Sequence, residues 1–252
     1  IKGLIKLYKI TKEENIFKAI NKALDFITKR MVSGNTVYSC FNEEPCFPGY
    51  LDDYALLGSV LIDYLSIEWN QNYYDTCLRV CDDLMNNFED KEKGGFFFTS
   101  DQHEQLFYRP KSISDDSVPS GLVYATDTLL YMGFISGNQK YIEAAYGALD
   151  FIYKSIDDNL TSSVSAINLL REDNLEKEII IVRTNKKTWE KITDSEEYYG
   201  RCIIFIENEL QNLPDYIAYK ESKGEFTSYH CKGMTCQAPK LSFENFIEAL
   251  KT

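Results

Sequence analysis

Apolar residues recur at helical spacing through most of the first 158 positions. The sharpest case is residues 49–70, GYLDDYALLGSVLIDYLSIEWN. There Leu56, Leu57, Val60, Leu61, Tyr64 and Leu65 form one stripe behind a first turn that carries Asp52 and Asp53 between Tyr50 and Tyr54. This pattern predicts a helix that buries its body and offers its N-terminal end. Three stretches superimpose: residues 15–27, 72–84 and 140–152. Ile16 aligns with Tyr73 and Tyr141, Ala19 with Thr76 and Ala144, and Asp25 with Asp82 and Asp150. Each follows another apolar helix after a short polar turn, the earlier helices being residues 1–8, 49–70 and 120–136. Short connections make neighbouring helices antiparallel, so the repeating unit is a helical hairpin. An array of such hairpins buries its faces only against neighbours, which leaves an apolar edge at the first hairpin.

Between the hairpins, residues 36–41, 94–99 and 106–109 read as short strands at one end of the helices. After about residue 158 the period changes. Residues 160–170 suit one more helix, 178–183 (EIIIVR) a buried strand, 186–199 a polar helix and 202–207 (CIIFIE) a second strand. Shorter runs follow at 216–219 and 225–231, and residues 243–250 form a last helix capped by Ser242. The expectation is a mainly α chain: helical hairpins over residues 1–158, then a closing helix and small α/β region over 159–252.

Composition narrows the functions. The 252 residues carry a net charge of -12, which leaves no basic stripe for a nucleic-acid backbone or an anionic membrane surface. Eighteen Tyr and fifteen Phe suit a ligand with flat faces, such as a sugar, as well as ordinary helical packing. Seven cysteines at irregular spacing, without a signal peptide or an apolar run of membrane length, suggest free thiols and a cytoplasmic setting. The first residue is Ile, so the chain reads as part of a longer one.

Asp52 and Asp53 are the first candidates for chemistry. Adjacent helical residues point about 100° apart, so one faces a cavity and the other caps the helix or answers its dipole. A carboxylate at an inner helix N-terminus can serve as a general acid or base, although first-turn acids are common for capping alone. The second candidate is residues 109–121, RPKSISDDSVPSG, which set Arg109, Lys111, Asp115 and Asp116 before the next inner helix. Acids from the two hairpins that converge on one cavity would suit glycosidic chemistry; the alternative is a loop held by local ion pairs. Cys231 and Cys236, after His230, lack the second ligand pair of a structural zinc site and the CxxC spacing of a redox motif. Two half-buried thiols flanking a turn at Gly233 are the expectation, with no metal and no cofactor.

The stretches GYLDDYALL, GGFFFTSDQHEQLFYRPKSISDDSVPSG and YHCKGMTCQAPKLSFENFIEAL together resemble the C-terminal half of thioredoxin-domain proteins of the spermatogenesis-associated and bacterial YyaL type. The resemblance implies a partial (α/α) toroid similar to six-hairpin glycosidases and N-acylglucosamine 2-epimerases, with a thioredoxin-like domain as partner. The matched positions are 50–55, 109–121 with the acid at Asp115, and 231–239. Leu122 and Asp116 depart from the family pattern, which usually has Asn and Gly there.

Two functions follow as expectations. One is a sugar site that works by acid/base chemistry. Asp53 and Asp115 are its leading acids and Asp52 and Asp116 their alternates; Tyr50, Tyr54, Arg109 and Lys111 contact the substrate. The other is a non-catalytic scaffold for the thioredoxin-like domain, with oligomerisation open to the apolar edge.

Overall fold

The computed structural model describes residues 1–104, 107–156, 160–174, 177–195, 198 and 201–251. Three helical pairs come first: α1 (Lys2–Thr11) with α2 (Glu14–Arg30), α3 (Leu51–Leu65) with α4 (Gln71–Asp83), and α5 (Gly121–Ser136) with α6 (Gln139–Ser155). Helices α3 and α5 are apolar nearly all round, and each buries most of its residues, so they form the centre. α3 packs along α5 and also meets α1. Asn70, Ser120 and Asn138 cap α4, α5 and α6 through their side-chain oxygens, which satisfy backbone N–H groups left open in the first turn. α4 runs on into a π-helical turn, Leu84–Phe88.

The aligned positions of the repeat have a physical counterpart. Tyr73 on α4 donates to Asp25 on α2 at 3.0 Å, and Tyr141 on α6 donates to Asp82 on α4 at 2.6 Å. One tyrosine–aspartate bond therefore joins each outer helix to the next.

The expectation of a mainly α partial toroid is corrected by two sheets. A small antiparallel sheet, β1 (Val32–Ser33), β2 (Thr36–Asn42) and β3 (Glu44–Pro48), lies between the first two pairs. After α6 and a short 3-10 turn, Leu160–Ser162, come α7 (Val164–Asn174), β4 (Glu178–Thr184), α8 (Lys186–Thr193), β5 (Cys202–Glu207), α9 (Asp215–Ala218), β6 (Phe226–Lys232), β7 (Thr235–Cys236) and α10 (Phe243–Leu250). The strand order is β5-β4-β6-β7, with β4 and β5 parallel and the other pairs antiparallel. The chain is thus an α/β mixture.

Side chains alternate across this sheet, as the strand period requires. Ile179, Ile181, Ile204 and Ile206 face the helices and join the same core as α3 and α5. Ile180, Val182, Ile203 and Phe205 face the other way and form a second cluster with Trp189, Phe246 and Leu250. A sheet buried on both faces reads as a continuous apolar run, which is why EIIIVR carries no alternation. Residues 94–99, expected as a strand, form only an isolated bridge, Glu89 to Phe96. In the companion stretch 106–109, position 106 lies outside the described residues.

The free-thiol expectation is also corrected in part. Cys231 and Cys236 stand opposite each other across β6 and β7, with Cα atoms 3.9 Å apart, and form a disulfide. Direct cross-strand register brings the two sulfurs together where linear spacing gave no sign of it. Cys40, Cys46, Cys77, Cys81 and Cys202 remain thiols. No helix among the described residues is long and apolar enough to cross a membrane.

Candidate functional site

The residues singled out in the sequence lie around the N-terminal ends of α3 and α5. Asp53 accepts hydrogen bonds from the Tyr50 backbone N–H and the Ser39 hydroxyl, each at 2.9 Å, so it closes the first turn of α3 and ties it to β2. Asp52 points instead into a cleft of about 280 Å³ shared with Asp116, Ser112 and Phe98. Burial, then repulsion from Asp53, pushes the Asp52 carboxyl above its ordinary value. α5 comes so close here that a Cβ on Gly121 would lie 1.8 Å from the Asp52 Oδ1.

The remaining predicted residues are engaged within the fold. Asp115 accepts from the Ser120 N–H at 3.0 Å, the Ser165 N–H at 2.8 Å and the Ser165 hydroxyl. Burial works against its ionisation, and these bonds outweigh it and hold the carboxyl below its ordinary value. Arg109 spends its guanidinium on the carbonyls of Thr99 and Asn87. Lys111 bonds Asp90 at 2.6 Å and the Gly94 carbonyl at 2.8 Å. Tyr54 is buried, with its hydroxyl accepting from the Val37 N–H at 3.1 Å. Tyr50 is half exposed, stacked between Phe98 and His103. Of the eight, Asp52 and Asp116 are brought together in one cleft.

A larger cavity, about 550 Å³, lies between α1, α3, α5 and the start of β5. Its acids are Asp63 on α3, Asp127 on α5 and Glu172 on α7, its rings Tyr124, Tyr131 and Tyr198, and its cations come from α1 and Arg201. Lys2 pairs with Asp63 at 3.0 Å and donates to Ser59 at 2.5 Å. Behind the wall, the nearly buried Lys177 bonds the Asp127 carboxylate, meets Glu172 at 3.2 Å and lies 4.5 Å over the Tyr131 ring.

Ionisation in this cavity is displaced in several groups. Burial raises Asp127 above the usual carboxylate range although Lys177 pulls the other way. Burial lowers Lys9, raises the Tyr131 hydroxyl, and pushes the Cys202 thiol up to about 12. Such displaced groups around one concave surface are what proton-transfer chemistry and tight ligand contacts use.

Sequence reading overlooked this cavity, although a signal was present. Asp127 is the sole charged residue of α5, and Asp63 interrupts the apolar run LGSVLIDYL of α3. A lone carboxylate inside an apolar helix has to face a partner or a cavity. Lys177 stands immediately before the strand run EIIIVR.

Among the described residues, no group of three or more His, Cys, Asp and Glu is placed to hold a metal ion. No protein-family model matches the chain, and no curated protein matches it. The likeness to thioredoxin-domain proteins is corrected accordingly: three short motifs reproduce a pattern without a family match behind them. Two of those motifs serve local structure here, one as the capped first turn of α3 and the other as the disulfide-closed turn between β6 and β7.

Proposed function

We propose that the central cavity binds a small polyhydroxylated ligand of the sugar type and acts on it by carboxylate acid/base chemistry, with Asp127 as the proton-transferring group. The observation that carries this reading is the Asp127 carboxyl, raised by burial, lining a cavity beside Tyr131 while Lys177 holds it from behind. A carboxyl raised by its surroundings and lining a cavity is a candidate for general acid/base work. The faces of Tyr124 and Tyr131 suit the apolar side of a sugar ring, and Asp63 suits its hydroxyls. A cytoplasmic setting belongs to the same reading. It is supported by the five cysteines that remain thiols beside the single disulfide Cys231–Cys236.

The test is a thermal-shift screen against mono- and disaccharides, with Asp127→Asn beside the parent chain. A stabilising sugar whose effect is lost in the variant is the expected result, since a ligand stabilises the state that it binds. No shift with any sugar, from a chain that melts cooperatively, would overturn the reading. A protein-binding scaffold is the second reading, supported by Leu7 on α1 and Phe26 on α2, each 43% exposed.

A further inference from the structure

Two hairpins of this chain place cysteines directly opposite each other. Across β6 and β7, Cys231 faces Cys236 and the two are bonded. Across β2 and β3, Cys40 faces Cys46 in the same antiparallel relation, and both are thiols. Residues directly opposite in an antiparallel pair send their side chains to one side of the sheet. Their Cα atoms lie about 4.5 or 5.5 Å apart, according to their place in the hydrogen-bond ladder. Both spacings fall inside the range that a disulfide spans, roughly 4.4–6.8 Å. Register alone thus brings Cys40 and Cys46 within bonding range.

The two pairs differ in access. Cys231 is buried in the core between the four-stranded sheet and the helices. Cys40 is exposed and Cys46 half-buried, and β3 is an edge strand of its three-stranded sheet. Thiol–disulfide exchange needs a sulfur that a second molecule can reach, so the outer pair is the one open to it. β3 also carries Pro45 and Pro48, which have no N–H to give to the ladder, so a covalent link has more to add there. The hairpin bears directly on α3. Ser39, next to Cys40, donates to Asp53 at 2.9 Å, and the Gly49 N–H donates to the Val37 carbonyl at 2.7 Å.

We propose that Cys40 and Cys46 are a reversible dithiol/disulfide pair that exchanges with glutathione and, when closed, stiffens the β2–β3 hairpin at the entry to α3. One protein thiolate attacks oxidised glutathione, forms a mixed disulfide and releases the first glutathione thiolate. The second protein thiolate attacks the mixed disulfide at the protein sulfur and releases the other. Two protein S–H bonds and the glutathione S–S bond are lost; one protein S–S bond and two glutathione S–H bonds form, and two electrons pass from protein to glutathione. The closed loop is short, so the bond acts locally and adds little to global stability.

The test is incubation of the full chain, with Cys40 and Cys46 as thiols, in oxidised glutathione, followed by alkylation and mass spectrometric mapping. Expected is a chain lighter by two hydrogens, with Cys40 linked to Cys46 and with Cys77 and Cys81 unmodified, as the folded state requires. Reduced glutathione should reopen this bond and leave Cys231–Cys236 closed. Cys40→Ser should stop at one glutathione on Cys46, since no second thiol is there to displace it. Hydrogen exchange over residues 36–48 should slow on closure and recover on reduction. Two glutathiones held stably by the parent chain, disulfide-linked dimers in place of the internal bond, or thiols that alkylate readily yet ignore oxidised glutathione would each overturn the pair. An internal bond without slower exchange would overturn the stiffening.

Discussion

Replacing Lys177 with methionine probes the electrostatics on which the central cavity depends. Methionine keeps most of the stem and removes the charge from a side chain only 3% exposed. Breaking a fully buried ion pair costs about 3–5 kcal/mol, because the surviving charge is stranded. Here the Asp127 side chain keeps 26% of its surface and Glu172 keeps 50%, so water takes up part of the loss. The expected destabilisation near pH 8 is therefore about 2–3 kcal/mol. For a chain of this size that is a Tm lower by roughly 4–12 °C. The pH dependence has a definite sign. Asp127 already titrates above the ordinary carboxylate range because it is buried, and losing Lys177 raises it further. A carboxyl with a raised folded pKa destabilises the folded state when ionised, and that penalty fades as pH falls and the group takes up a proton. The deficit of Lys177→Met should accordingly be smaller near pH 5 than near pH 8. Adding Asp127→Asn should recover more than half of it at the higher pH. Guanidinium unfolding at both pH values measures each quantity. A deficit below about 0.5 kcal/mol, the range of ordinary surface changes, or one that ignores pH would refute the picture of a desolvated Asp127.

Three further outcomes are expected. A Cβ on Gly58 would sit 2.5 Å from Thr128 Cγ2, so Gly58→Ala should cost about 1–2 kcal/mol despite better helix propensity, and Thr128→Ser should relieve it; a more stable single variant in calorimetry would show the α3–α5 seam to be looser than described. Thiol titration should label Cys40 and Cys46 in the native chain and add Cys77 and Cys81 only on unfolding, with Cys231 and Cys236 appearing only after reduction; seven thiols without reductant would remove the disulfide. Glu178 is held below its ordinary value first by its bond with His230, with Arg201 adding to it, so its contribution is present above about pH 4.5 and is lost as pH falls through the lowered value. Glu178→Gln should cost about 1 kcal/mol at pH 7, allowing for Arg201's contact with water, and should flatten acid unfolding; an unchanged acid limb would argue against the network.

The linear pattern carried the local architecture. Apolar spacing located α1 to α6, and short polar turns implied antiparallel pairs. Aligned Asp25 and Asp82 marked the positions where Tyr73 and Tyr141 now bond. The strand runs at β4 and β5 were legible too, because a sheet covered on both faces needs unbroken apolar residues. The difference of direction between Asp52 and Asp53 followed from helix geometry alone; Asp53 caps as the third residue of α3, and Ser39 from β2 adds a second bond to it.

Tertiary structure decided the rest, in most cases through contacts distant in sequence. The sheet joins the core of α3 and α5 instead of standing apart, since the odd-numbered isoleucines of β4 face the helices. Arg109, Lys111 and Asp115 became parts of the frame because carbonyls, Asp90 and Ser165 reach them first. Cys231 meets Cys236 through strand register, which residue spacing does not encode. Asp127 acquires its raised pKa and its partner Lys177 only when α5 meets the segment before β4. Sequence determines where a charge sits along its own helix, because that depends on a local period. Folding determines whether the charge is desolvated and what faces it, because both depend on residues that only the packed chain brings near.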